Sequence, residues 1–76
     1  MKLLRELVVA FFHRRRSGER FYLNDLVGSV RMWRYVAPGS PERVMRDLRQ
    51  KKVIDYRLVS RRYSLYEVRR YLKVQR

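Results

Sequence analysis

The residues best suited to chemistry in this sequence are long hydrogen-bond donors on one predicted helix. The helix covers the stretch from Ser40 to Lys52, which reads SPERVMRDLRQKK, and at helical spacing its apolar residues share one stripe. The opposite face carries the donors Arg43, Arg46, Arg49 and Gln50. Guanidinium and amide groups of this kind can pair with base edges and with phosphates. One face of the helix is therefore expected to dock on a core while the other contacts a polyanion.

Both ends of this helix carry residues that favour a helix boundary. Ser40 is expected to cap the first backbone N–H groups, which can also bind a phosphate, and Pro41 suits the first helical position. Lys51 and Lys52 close the helix at its negative end. A solvated surface helix would carry the same charges, and the helix alone does not distinguish that alternative from a binding face.

The charge of the chain narrows the classes of partner. Its 76 residues carry a net charge of +13 and are 46% hydrophobic, which is enough for one small domain with a core. An anionic partner relieves self-repulsion of this size, and the candidates are nucleic acid, a membrane surface and an acidic protein. Arginine outnumbers lysine 16 to 4, which suits phosphate and guanine contacts, although genome base composition could produce the same bias.

The sequence lacks the marks of secretion and of membrane insertion. It contains no cysteine, which excludes disulfides and thiolate metal sites. The N-terminal apolar run is broken by Arg5 and Glu6, and its basic cluster follows the apolar part instead of preceding it as in a signal peptide. That clustering also disfavours a membrane-surface helix, whose basic residues would spread along one face. We expect a soluble, cytoplasmic protein without a membrane partner.

Residues for catalysis are sparse. His13 is the only histidine, the carboxylates share no metal-ligand spacing, and the glycines are too isolated to form a phosphate loop. A nucleophilic tyrosine, Tyr63 or Tyr66, is conceivable because enzymes of DNA strand transfer use tyrosine. Both tyrosines are instead expected to pack a hairpin against helices. We therefore expect no enzymatic activity, no metal and no cofactor.

Two helices and a short strand are predicted before the donor-bearing helix. The first helix runs from Lys2 to about Arg16 and stops at Gly18, and its core stripe contains Leu3, Leu4, Leu7, Val8, Phe11 and Phe12. The run Phe21–Leu23 is predicted as a strand. Asn24 then caps a second helix that extends from Asp25 to Met32 or Trp33. The residues of that helix expected in the core are Leu26, Val27, Val30 and Trp33.

The hydrophobic period changes from helical to alternating after Lys52. The alternating apolar residues are Ile54, Tyr56 and Leu58. Ser60 to Arg62 form a short polar break, and Tyr63 to Val68 is a second run of strand formers. Two such runs around a short break predict a β-hairpin. Residues 69–76 leave three alternatives: a continued strand, a last helical turn, or a basic tail.

The stretch SPERVMRDLRQKKVIDYRLVSRRYSLYEV combines several features in one order. First comes a serine-capped helix that carries Arg46-Asp47-Leu48-Arg49. A basic residue, an apolar pair and a strand follow it. The segment ends with arginines at a hairpin tip and an aromatic-rich return strand. With this pattern, the segment Leu23–Val68 resembles a winged helix–turn–helix domain, and the first helix fits the opening helix of that family. The connection Arg34–Gly39 is longer than a tight turn, and Lys52 stands where the family often has glycine.

The resemblance implies an α+β winged helix in a single domain over residues 1–76. It would have three helices and a C-terminal two-stranded β-hairpin wing, with a short third strand near Phe21–Leu23. It would bind double-stranded DNA with helix 40–52 in the major groove and the wing, residues 59–62, on the backbone or in the minor groove. The residues expected nearest the bases are Arg43, Arg46 and Gln50. Those expected at phosphates are Ser40, Arg49, Lys51, Lys52, Arg61 and Arg62.

A small DNA-associated protein, acting as a transcriptional regulator or an accessory factor, is the first functional hypothesis. One alternative is an RNA-binding protein, and another is a winged helix that binds an acidic partner such as part of a polymerase or a defence complex. A protein of this size covers few base pairs, so high specificity would need a homodimer or a protein partner. A short chain that begins at Met1 and lacks an effector domain suggests a compact genome, such as that of a virus or plasmid.

Overall fold

Three helices and a three-stranded antiparallel sheet form the computed structural model, which describes residues 3–33 and 39–69. In chain order the elements are α1 (Leu4–His13), β1 (Arg20–Tyr22), α2 (Leu23–Arg31), α3 (Ser40–Gln50), β2 (Tyr56–Ser60) and β3 (Leu65–Val68). The predicted α+β class is confirmed. The predictions for residues 34–38 and for residues 70–76 lie outside the described residues. No helix in the described ranges is both long and apolar enough to cross a bilayer.

α1 forms where the apolar stripe predicts a helix, and its buried residues are Leu7, Val8, Phe11 and Phe12. It ends at His13 and not at Arg16, so residues 14–16 lie beyond the helix, and Leu3 lies before it and is exposed. The prediction that Gly18 ends this helix was wrong, because Arg14 is the C-cap. Gly18 instead lies in the turn before β1 with a φ of +94°, a conformation that glycine adopts at little cost. The Gly18 N–H donates to the carbonyl of Val68 over 2.6 Å and so joins this turn to the sheet.

α2 begins at Leu23, two residues earlier than predicted. The N–H of Tyr22 donates to Asp25 Oδ2 over 2.8 Å, which satisfies a backbone donor at the helix start. Asn24 consequently lies inside the first turn, and the prediction that it caps the helix was wrong.

The core-facing side of α2 is narrower than its sequence predicts. Leu26 and Val30 are fully buried, whereas Val27 is only half-buried. Trp33 is 66% exposed, so its predicted place in the core was wrong. The reason is that α2 ends at Arg31, and the helical period that would turn Trp33 inward does not continue that far.

α3 starts at Ser40, with Gly39 in the capping position. The N–H of Arg43 donates to the Gly39 carbonyl over 3.1 Å, which makes Ser40 the first helical residue. The prediction that Ser40 caps the helix was therefore wrong, whereas Pro41 lies in the first turn as expected. The residues that α3 buries are Pro41, Met45 and Leu48.

α3 ends at Gln50, before the predicted boundary at Lys52, and the chain turns away through a Schellman motif. The N–H of Val53 donates to the Leu48 carbonyl over 2.9 Å, and the N–H of Lys52 donates to the Arg49 carbonyl over 3.0 Å. Lys52 has a φ of +64°. A left-handed conformation costs a side-chain-bearing residue about 1–2 kcal/mol, so this lysine occupies a position that favours glycine.

The sheet has the strand order β1-β3-β2, so the last strand lies in the middle. β1 pairs with β3 antiparallel, with Phe21 opposite Tyr66, and it lies one residue before the predicted strand Phe21–Leu23. β2 and β3 form the predicted hairpin, whose register shifts at a bulge between Leu58 and Ser60. The C-terminal strands are thus part of a three-stranded sheet and are not an isolated pair.

The turn of the hairpin covers residues 61–64. Tyr63, predicted in the second strand, lies in this turn and is 60% exposed, so its predicted packing role was wrong. The tight reversal explains this outcome, because Ser64 takes a positive φ of +50° before β3 begins at Leu65. Tyr66 is buried, as its predicted packing against the helices requires.

Aromatic rings from α1 and from all three strands meet in the core. The centroid of Phe21 lies 5.1 Å from that of Phe11 and 5.4 Å from that of Phe12, both edge to face. Tyr56 and Tyr66 are in edge contact at 5.4 Å. Edge-to-face pairs are favoured by the ring quadrupole. These contacts fix the sheet against the helices and thereby set where the hairpin lies relative to α3.

Candidate nucleic-acid interface

The outer face of α3 carries the donors that the sequence places there. Met45 and Leu48 are buried, which orients the helix with one side against the core. Because side chains rotate by about 100° per residue in a helix, the side opposite holds Asp47, which pairs with Lys51, and the donors Arg43, Arg46 and Gln50. All three are exposed. The trio predicted to lie nearest the bases therefore occupies a single solvent-facing strip.

Arg49 lies on the flank of α3 that faces the hairpin. Its Nε donates to Asp55 Oδ1 over 3.2 Å, and its guanidinium carbon is 5.2 Å from the centroid of the Tyr56 ring. The same Asp55 oxygen accepts the N–H of Tyr56 over 2.9 Å, which fixes the carboxylate. Arg49 is thus held in place by an ion pair and a ring, while its side chain stays half exposed.

An open depression of about 490 Å³ lies where the end of α3 meets β2. Its lining residues are Arg46, Arg49, Gln50, Lys52, Asp55 and Tyr56. Lys52, whose backbone is left-handed, turns the chain here and lines the depression beside the donors of α3. Four of the residues predicted to contact nucleic acid therefore share one concave, cationic surface.

The hairpin is joined to α3 by a hydrogen bond close to its turn. The hydroxyl of Tyr66 on β3 donates to Glu42 Oε2 over 3.4 Å, which joins the hairpin to the first turn of α3. Burial and then Glu42 raise the pKa of Tyr66, while the charges of Arg46 and Arg61 act to lower that pKa. One arginine of α3 and one of the turn thus act electrostatically on this hydroxyl.

Burial also raises the pKa of Tyr56 to about 12, against the opposing influence of Arg49 and Arg46. The cations of α3 are thus close enough to act on both buried tyrosine hydroxyls. Neither tyrosine titrates near neutral pH, so they serve as neutral packing groups under the surface.

Four of the seven carboxylates, those of Glu6, Glu19, Asp25 and Glu67, are engaged away from this surface. Asp55 lines the depression, and Glu42 and Asp47 lie on α3. The ion pairs within the described residues are Arg20–Glu67, Arg57–Glu67, Arg49–Asp55 and Lys51–Asp47. Glu6, Glu19 and Asp25 each accept a backbone N–H. In these described ranges Arg43, Arg46, Lys52 and Arg61 form no ion pair. These four cations therefore remain available to an anionic partner.

The outer face of the sheet contrasts with that surface. Glu67 Oε1 lies 3.4 Å from Arg20 Nε and 3.1 Å from Arg57 Nη2, so one carboxylate serves two guanidiniums. Hydrogen bonds and charge, first from Arg57 and then from Arg20, lower the pKa of Glu67. These two arginines support the pairing of the strands, and the sequence pattern does not distinguish them from binding residues.

Three of the predicted site residues lie apart from the others. Lys51 pairs with Asp47 over 3.1 Å and lines a groove between α3 and α1. Arg62 lies over the Tyr63 ring at 5.4 Å and lines a depression beside the start of α2. Ser40 is half-buried at the start of α3. The prediction that these residues contact phosphates stays a prediction.

Sequence reasoning missed the residues that hold this surface together. Glu42, Asp55, Tyr56 and Tyr66 fix the hairpin to α3 and orient Arg49. The alternating pattern of β2 marks Tyr56 as inward-facing, but nothing local indicates that Tyr66 would meet a carboxylate on a different element. In the described residues no group of three or more His, Cys, Asp and Glu side chains is placed to hold a metal ion.

We define the α3–hairpin surface as the residues Arg43, Arg46, Arg49, Gln50, Lys52 and Arg61. Its cationic character rests on the geometry and charge described above. A scan of protein-family models, a search of the curated proteins and a search of solved structures found no match to this chain.

Proposed function

We propose that this chain is a small double-stranded DNA-binding protein, a transcriptional regulator or a DNA-binding accessory factor. The observation that carries the proposal is the α3–hairpin surface. Three of its cations line one depression, its hairpin is hydrogen-bonded to α3, and its cations mostly lack carboxylate partners. DNA phosphates would relieve the self-repulsion of such a surface. Its cations would in turn displace counterions from the DNA, and the release of these counterions favours binding.

The order of the elements supports a winged helix–turn–helix architecture for this function. Three helices precede the hairpin, and a short strand between α1 and α2 pairs with the last strand to give the order β1-β3-β2. In this architecture α3 enters the major groove and the hairpin turn lies on the backbone or in the minor groove.

Different residues of the surface suit different contacts. Arg43, Arg46 and Gln50 project from the outer strip of α3, and their side chains can form bidentate pairs with guanine or adenine edges. Arg49 is held by its ion pair with Asp55. A side chain fixed in this way suits a contact with a phosphate better than hydrogen bonds to base edges. Lys52 and Arg61 flank the helix on its hairpin side and also suit phosphates.

RNA binding is the second candidate, and one feature favours it. Tyr22 and Tyr63 are 51% and 60% exposed, and both line a polar depression together with Arg62. Exposed tyrosine rings beside a guanidinium can stack on unpaired bases. None of the residues of the α3–hairpin surface lines this depression, so stacking here would be a separate contact mode.

Selection of bound duplexes from a random pool, followed by competition with single-stranded RNA, tests the proposal. We expect enrichment of a short motif and displacement of the protein from RNA by that duplex. Arg46→Ala should relax the motif, whereas Lys51→Ala, of similar exposure on the other flank of α3, should leave it unchanged. Preferential retention on RNA, with loss of binding in Tyr63→Ala and not in Arg46→Ala, would favour the second candidate.

A further inference from the structure

An apolar groove of about 450 Å³ lies on the flank of α3 away from the hairpin, between α1 and the end of α3. It is lined on one side by residues of α1 between Arg5 and His13, and on the other side by Leu48, Lys51 and Val53. We call it the α1–α3 groove. Lys51 is the one lining residue that the sequence predicts to contact nucleic acid, and the structure places it away from the α3–hairpin surface.

The floor of the groove is hydrophobic and open to solvent. Val9 and Ala10 on α1 are half-buried, and Val53, just after α3, is 39% exposed above the buried Leu48. The α1 residues that line it extend from Arg5 to His13, and at a rise of about 1.5 Å per residue this wall is about 12 Å long. Two turns of a partner helix can lie along a wall of this length.

The charges at the rim determine which occupant fits. Arg5 and Lys51 stand on opposite walls, and the carboxylate of Glu6 accepts the Leu3 N–H at the helix start. The Lys51–Asp47 ion pair joins two half-exposed side chains, and such pairs contribute little, so Lys51 can exchange its partner readily.

A second copy of the chain is a poor occupant, because each copy carries a net charge of +13. Association of two such chains through adjacent basic rims is opposed by like-charge repulsion. A segment with both apolar and acidic residues could instead bury its apolar side chains on the floor and pair its carboxylates with Arg5 and Lys51 at the rim.

We propose that the α1–α3 groove binds an amphipathic helix of a partner protein, with apolar residues on the face that enters the groove and acidic residues beside them. The mode is that of a helix in a groove, in which a few apolar anchors bind and flanking charges select. The chain would then carry an acidic protein on one flank of α3 and present its α3–hairpin surface on another. This inference does not depend on whether that surface binds DNA.

A peptide titration of the full chain, followed by backbone amide NMR, tests the inference. The probe is a synthetic amphipathic peptide with leucines on one face and glutamates on the other. We expect saturable shifts at Val9, Ala10, Leu48 and Val53. One control peptide replaces the glutamates by lysines, and another replaces the leucines by serines; both should bind at least about tenfold more weakly.

Charge variants of the protein complete the test. Lys51→Glu and Arg5→Glu are substitutions at exposed positions, so the chain should still fold. Each should weaken binding of the acidic peptide by about tenfold. Arg43→Glu changes the charge equally but lies outside the groove, so it should retain peptide binding within about twofold. Shifts confined to Arg43, Arg46 and Arg61, binding unaffected by loss of the leucines, or no binding would each overturn the inference. Concentration-dependent dimerisation that shifts the groove amides without peptide would also overturn it.

Discussion

The hydroxyl of Tyr66 donates a hydrogen bond to the carboxylate of Glu42 over 3.4 Å and thereby joins β3 to the first turn of α3. This contact sets the distance between the hairpin turn and the outer strip of the helix. The ion pair between Arg49 and Asp55 fastens the other end of α3 to the chain leading into β2. The α3–hairpin surface is therefore assembled by two polar contacts above an aromatic core.

Removal of the Tyr66 hydroxyl should loosen that assembly. We expect Tyr66→Phe to lower the free energy of unfolding by about 0.5–1.5 kcal/mol, because Glu42 loses its donor while the ring stays in the core. Urea denaturation measures the change. Tyr63→Phe is the matched control, since Tyr63 is exposed, and it should have no effect. Equal stability of the two variants would show that the contact does not join the elements.

Two arginine variants should distinguish contacts with base edges from contacts with the DNA backbone. If Arg46 pairs with a base edge, Arg46→Ala should cost about 1–3 kcal/mol on the preferred duplex and relax sequence preference. Arg61→Ala should weaken all sequences alike, because a phosphate contact carries no sequence information. Binding titrations on the selected duplex and on scrambled duplexes provide the comparison. Equal, sequence-blind losses in both variants would exclude base readout by Arg46.

Lys52 combines a strained backbone with a position on the α3–hairpin surface, and two substitutions distinguish these properties. Lys52→Gly removes the cost of a φ of +64° and should raise the free energy of unfolding by about 0.5–1 kcal/mol. Lys52→Ala retains the strain and should not stabilise the fold. Both should weaken duplex binding to the same extent, because both remove one cation. A stabilised Lys52→Ala would contradict the assignment of strain to this position.

The raised pKa of Tyr56 predicts a loss of stability at high pH. Burial raises this pKa from 10.0 to about 12, so between these values the unfolded chain releases the tyrosine proton while the folded chain keeps it. The stabilising contribution is present below pH 10 and is lost as pH rises toward 12. The midpoint temperature of thermal unfolding should therefore fall more steeply over this pH range for the parent than for Tyr56→Phe. Parallel pH profiles would show that the hydroxyl is not desolvated.

The helices and the hairpin could be predicted from the sequence because their signals are local. The apolar stripes of α1 and α3 and the two strand-forming runs each lie within a few residues, and the structure has a helix or strand at each of them. The predicted alternation of β2 is not retained, because Ile54 precedes the strand and Leu58 is 40% exposed. The boundaries depend on contacts that local patterns do not contain. α2 starts early because Asp25 accepts the Tyr22 N–H, and α3 starts at Ser40 because Gly39 supplies the capping carbonyl.

The candidate site could be predicted only as a set of residue types. Lys51 and Lys52 are neighbours in the sequence and look equivalent, yet Lys51 lines the α1–α3 groove and Lys52 lines the depression beside Arg46. The positive φ of Lys52 separates them, and a lysine gives no indication of it. Arg61 and Arg62 diverge in the same way at the hairpin turn. The surface to which a charged side chain belongs is therefore set by the tertiary fold and not by the local sequence.

The salt dependence of duplex binding tests the central claim most directly. With the five cations of the α3–hairpin surface at phosphates or groove edges, log K should fall with log salt at a slope of roughly −5. The double variant Arg46→Ala/Arg61→Ala should reduce the magnitude of the slope by about 2. Lys51→Ala/Arg62→Ala, equal in charge, should reduce it by less, because neither residue belongs to this surface. A parent slope near zero, or equal changes in the two double variants, would contradict binding through this surface.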